Sequence, residues 1–185
     1  MRNAILAALL VPFLLACGDE VVNYSAPVGI NQKLRSADVD VGAGNAVLLS
    51  KSINTEQGNP YGAFVNAATQ TLGRAPSRIV VTYLSLELLG TSTGVANLNE
   101  VFTGQVAIGF DLNGFVYPVG TVTNPAGVGV PMAATFDSAG LGPVAYADLV
   151  GGGFPVVVSG TATPTFAGGS FTADLKATFG FMAYK

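Results

Sequence analysis

The segment from Phe171 to Phe181 alternates without interruption. Phe171, Ala173, Leu175, Ala177, Phe179 and Phe181 fall on one side, and Thr172, Asp174, Lys176 and Thr178 on the other. A period of two marks a strand with one face in a core and the other in water. Strands of that kind belong to antiparallel sheets. Such a strand needs hydrogen-bonding neighbours and a second apolar layer. The rest of the chain supplies both. Residues 78–89 are rich in Val, Ile, Tyr and Leu, with Leu84, Leu86 and Leu88 on one face. Residues 103–112 align Val106, Ile108, Phe110 and Leu112, and residues 154–163 align Val156, Val158 and Gly160. Asn113-Gly114 between apolar runs is a hairpin signal, which makes residues 115–122 an antiparallel partner. Residues 37–50 read as strand, turn at 42–45, and strand. A short strand is expected at 132–136.

One helix interrupts this pattern, at about residues 59–73. Asn59 can cap it, and Pro60 suits the first helical position because its missing N–H is not needed there. Tyr61, Phe64, Val65, Ala68 and Leu72 recur at helical spacing, and Gly73 can close the end in a left-handed conformation. A helical turn is expected within 96–102, a Pro/Gly loop at 124–131, and a loop with a helical turn at 137–153. These elements predict a mostly β chain: an antiparallel β-sandwich or open barrel with one short helix.

Composition narrows the chemistry. Charged residues make up 10% of the chain, against about 25% in an ordinary soluble domain. The formal net charge is −3. The cations Lys33, Arg35, Lys51, Arg74, Arg78, Lys176 and Lys185 are scattered. No basic stripe exists for nucleic acid, nor a polybasic surface for anionic lipid. Histidine is absent, which removes the commonest general base and the usual zinc ligand. No nucleophile elbow, Ser-x-x-Lys or P-loop occurs, and Gly42-Ala43-Gly44 lacks the third glycine of a dinucleotide fingerprint. Asp38 and Asp40 with Gly42 faintly suggest a calcium loop, but the further acids and closing glutamate are missing, and they read as a solvated strand face. Asp174 and Lys176 read as a surface pair of little energetic worth. The aromatic residues follow strand alternation and belong to the core. Asn23-Tyr24-Ser25 is a chance glycosylation sequon. No catalytic, cofactor-binding or metal-binding residue is assigned, and no cofactor is expected.

The N-terminus is of another kind. Arg2 precedes an apolar run at residues 4–15, interrupted by Pro12, and Ala16 precedes Cys17, the only cysteine. The run is too short to span a bilayer, which takes roughly 20 residues, and has the length of a signal-peptide core. Leu14-Leu15-Ala16-Cys17 resembles a bacterial lipobox. The resemblance implies that residues 1–16 are removed and that the Cys17 thiol takes a diacylglycerol, with later addition of an acyl chain such as palmitate to the new amine. Two or more chains give stable membrane anchoring. Gly18, rather than aspartate, after the cysteine implies an outer-membrane address in a Gram-negative envelope. The expected organisation is a signal peptide at 1–16, lipidated Cys17 with a flexible tether at 17–36, and a single β-rich domain at 37–185.

The leading functional expectation is a membrane-anchored envelope lipoprotein whose non-catalytic domain binds or scaffolds an envelope protein. One alternative is a membrane-inserting or oligomeric channel component, because the last strand alternates like a transmembrane β-strand. Lipoprotein secretion channels such as the curli secretion channel offer a fold-level analogy. A second alternative is a carrier of a lipid or other apolar ligand. Enzymatic activity would have to rest on carboxylates alone, as in glycoside hydrolysis, and no convincing pair stands out.

Overall fold

The computed structural model describes residues 23–185; Cys17 and the signal segment lie outside them. The described strands are β1 (Asn23–Arg35), β2 (Ala46–Ser52), β3 (Arg78–Leu88), β4 (Phe102–Leu112), β5 (Phe115–Thr123), β6 (Gly129–Pro131), β7 (Ala133–Ala134), β8 (Pro155–Ala162) and β9 (Thr172–Tyr184). The helices are α1 (Pro60–Leu72), α2 (Leu98–Val101), α3 (Pro143–Gly151) and α4 (Pro164–Ala167). The strands form two sheets, β1-β9-β3-β6 and β2-β8-β4-β5-β7. Every pairing between strands is antiparallel. Neither sheet closes on itself, so the fold is a sandwich and not a barrel.

β9 lies inside the first sheet, between β1 and β3. Its inward residues Ala173, Leu175, Ala177, Phe179, Phe181 and Ala183 are all buried. Phe110 of β4 meets them from the other sheet, 5.4 Å from Phe179 and 5.9 Å from Phe181 between ring centroids. Phe136 and Phe154 each stand 5.0 Å from Phe110. These spacings suit tilted and edge-on aromatic pairs. The apolar side of β9 is therefore occupied by the domain's own core.

Helix α1 forms as its sequence predicts. The Asn59 side chain accepts from Gly62 N–H, and Gly73 closes the helix at φ 70°. Its apolar face extends the core, with Tyr61 5.0 Å from Phe181, and Phe64 5.4 Å from Phe181 and 5.9 Å from Tyr24.

Several expectations need correction. Residues 23–35 of the expected tether are the long strand β1, paired with β9 from Asn23↔Tyr184 to Arg35↔Thr172. The sandwich thus includes residues 23–35, ahead of the boundary expected at 37. Val28, Ile30, Gln32 and Leu34 alternate inward, and the Pro, Gly and Asn between them face outward and mask the pattern. The strand expected at 37–41 is absent. Asp38 Oδ2 accepts from Arg35 N–H at 3.0 Å and Asp40 Oδ1 from Ala43 N–H at 3.1 Å, so both carboxylates serve turns, the local bonding that favours Asp there. The loop expected at 124–131 ends in β6. At buried Met132 the chain leaves β6, paired with β3, and enters β7, paired with β5, crossing between the sheets. The region 137–153 holds a full helix, α3, not a single turn. Helix α4 was unforeseen, although Thr163 caps it and Pro164 opens it.

Opposite this corner, the edges of β1 and β2 are clasped. Lys51 Nζ on β2 donates to Asn31 O at 2.8 Å and to Glu56 Oε1 at 2.6 Å. Glu56 in turn accepts from Asn31 N–H at 2.9 Å and from Asn31 Nδ2 at 3.0 Å. Burial opposes the charge on Glu56, but the Lys51 and Asn31 donors outweigh it and hold its carboxyl below the usual glutamate range. A carboxylate whose folded pKa is depressed contributes stability above its unfolded pKa and loses it as pH falls through the folded value.

Glu56→Gln is expected to lower unfolding stability at pH 7 by about 1 kcal/mol, with the gap to wild type closing as pH falls below about 4. Urea unfolding across that pH range measures it. Phe110→Ala, which empties the centre of the ring cluster, is expected to cost about 3–5 kcal/mol by the same measurement at pH 7.

Candidate functional site

The polar residues singled out in the sequence do not converge on one cleft. Asp174 pairs with Lys33 across the β1–β9 ladder at 3.2 Å, not with Lys176. The Lys176 stem instead lies over Gly29, where an added Cβ would come within 3.0 Å of its Cε. Glu87 sits opposite Lys176 in the ladder. Arg78 holds Asp137 in a two-pronged ion pair, Nε to Oδ1 at 2.9 Å and Nη2 to Oδ2, which keeps the Asp137 carboxyl below its usual range. Cys17, the expected lipidation residue, lies outside the described residues.

A second pair of carboxylates is brought together by the fold. Asp111, at the β4–β5 hairpin, and Asp148, on α3, line an open depression of about 450 Å³ with Asn113 and Phe154. Among the described residues no group of three or more His, Cys, Asp or Glu is placed to hold a metal. Tyr61 is buried, donates its hydroxyl to Leu149 O at 3.0 Å, and is pushed up by burial, so it stays protonated. Tyr61 thus serves packing between α1 and α3.

The surface itself is organised. The outer face of the first sheet carries Lys33, Asp174, Lys176, Glu87 and Arg78. The outer face of the second sheet is made of Leu48 and Ser50 on β2, Val157, Ser159 and Thr161 on β8, Thr103, Gln105, Ala107 and Gly109 on β4, and Val116, Pro118, Thr121 and Thr123 on β5. Asp111 at its margin is the one formal charge among its described strand residues. Leu48 and Val116 are largely exposed, at 74% and 58%. Gly109 lets the face lie flat, because a Cβ there would come within 2.5 Å of Val116 Cγ1. Outward-facing Val157, opposite Gly109 on the neighbouring strand, is buried. The sequence carried a signal for this face in the small and hydroxyl residues between the apolar ones of β4, β5 and β8. Register shifts at Ile108/Gly109 and between Thr103 and Ala107 break the alternation and conceal it.

Compared with protein-family models and with curated proteins, the chain matches none. Among the described residues no helix is long and apolar enough to cross a membrane.

Thr121→Lys, on the open part of the face, is expected to change stability by less than about 0.5 kcal/mol. Val116→Ser, which removes the apolar side chain lying over Gly109, is expected to cost more, about 1 kcal/mol. Paired denaturant curves compare the two.

Proposed function

We propose that this protein is an envelope lipoprotein, anchored through Cys17, whose β-sandwich binds another envelope component through the uncharged outer face of its second sheet. The observation that carries the reading is the division of charge between the two outer faces. A face without fixed charge sheds its water at little electrostatic cost, whereas a charged one resists desolvation. The presence of β1 from Asn23 onward supports a close membrane association. Only residues 18–22 separate Cys17 from Asn23 in the sequence, and five residues reach at most roughly 18 Å. The sandwich would therefore stay near the headgroups, with its faces presented sideways to neighbours in the same membrane.

Two experiments test this. Mass spectrometry of the N-terminal peptide, after expression of the full chain in a Gram-negative host, is expected to find diacylated Cys17, and Cys17→Ser to leave the chain unlipidated. Retention of Met1, or cleavage elsewhere, would overturn the anchor. A photo-crosslinking residue placed at Thr121 or at Thr178 compares the two faces in intact envelopes. Adducts from Thr121 alone are expected, and adducts from Thr178 alone would overturn the assignment of the face.

A further inference from the structure

The hydrogen-bond phase of β2 is fixed at both ends. Asn45 O accepts from Ala162 N–H at 2.8 Å, and Ile53 N–H donates to Phe154 O at 3.0 Å. In an antiparallel ladder alternate residues bond the same neighbour, so Val47, Leu49 and Lys51 bond β8. The N–H and C=O groups of Ala46, Leu48 and Ser50 point the other way. Ala46 confirms the phase, since it exchanges bonds of 2.9 and 3.0 Å with Asp40 on that side. Leu48 and Ser50 remain on the edge, between the Asp40 bridge and the Lys51–Asn31 clasp.

The other edges are managed differently. On β1, Asn31 N–H is taken by Glu56 at 2.9 Å and Arg35 N–H by Asp38 at 3.0 Å. Pro27, in the same phase, has no N–H to offer. β6 and β7 are three and two residues long. Blocking side chains, proline and shortness are the usual protections of sheet edges. The Leu48–Ser50 stretch, inside the seven-residue β2, carries neither proline nor a blocking side chain, and its Leu48 side chain is 74% exposed.

A row of alternating donors and acceptors at sheet spacing is matched by an extended main chain. We propose that the chain is a second copy of this protein, joined to the first about a two-fold axis beside Leu49. Antiparallel pairing about that axis sets Leu48 of each copy opposite Ser50 of the other. The two residues exchange both main-chain bonds, four in all across the axis, and the half-buried Leu49 side chains meet. The open stretch is its own complement, as an isologous contact requires. The only charge within β2, on Lys51, is already neutralised by Glu56 at 2.6 Å, so two β2 strands meet without like-charge repulsion. The two second sheets then form one continuous sheet, and their uncharged outer faces become one surface. This deepens the proposed function and rests on it only for setting: anchoring in one membrane raises the local concentration of a contact this small.

Sedimentation equilibrium of residues 18–185, which contain every described element, tests the pairing independently of lipidation. Ser50→Pro removes a donor that no internal bond uses, and Leu48→Lys places a charge on an exposed position. The expected result is a concentration-dependent dimer whose dissociation constant rises at least tenfold in both variants, with urea midpoints kept close to wild type. A chain that stays monomeric up to about 1 mM, or a dimer indifferent to both substitutions, would overturn the proposal. Binding of a foreign strand peptide by a chain that remains monomeric would overturn it as well.

Discussion

The sandwich depends on Phe110 of one sheet standing against Phe179 and Phe181 of the other. Each sheet alone would leave one face apolar and wet. Joining them removes both faces from water at about 25 cal/mol for each Å² of apolar surface. The same contact fixes where α1 can lie, because Tyr61 and Phe64 add their rings to Phe181. It also explains why β9 reads so plainly as a strand: both of its edges are paired, and its inner side faces the aromatic centre.

Once the inner faces are committed, the outer faces and edges are what the molecule can offer to others. They differ. The first sheet carries ion pairs and a thirteen-residue edge strand interrupted at Pro27, Asn31 and Arg35. The second carries hydroxyls, small residues, two exposed apolar side chains and a short unblocked edge. The corner at Met132 and the Lys51–Glu56–Asn31 clasp close opposite sides of the sandwich. The asymmetry is thus held by main-chain geometry at one side and by a partly buried ion pair at the other.

Much of this was legible in the sequence, and the reasons are local. The β9 alternation, the Asn113-Gly114 hairpin and the Asn59-Pro60 start of α1 each depend on a few adjacent residues, and each formed as read. β1 was hidden because its outward positions hold Pro27, Gly29 and Asn31, residues that look like linker. Only pairing with β9, far away in sequence, makes it a strand. Asp38 and Asp40 alternated like a strand face but were better used in turns, where their oxygens satisfy free N–H groups. β6 and β7 are too short for any periodicity, and their existence depends on which sheet each can reach. The uncharged face was spelled out residue by residue, yet it emerges only once the bulges and the register between strands are known. The meeting of Asp111 and Asp148 at one depression was not legible either, because it depends on where α3 packs against the β4–β5 hairpin.

The central claim is that contact with neighbours falls on the second sheet and its β2 edge. Hydrogen–deuterium exchange of the full lipidated chain in vesicles, at low and high surface density, tests it most directly. The expected result is that the amides of Leu48 and Ser50, which point away from β8, exchange freely when the protein is sparse and gain protection when it is dense, while β1 and β9 stay unchanged. Protection gained on the first sheet instead, or no change at Leu48 and Ser50, would contradict the account.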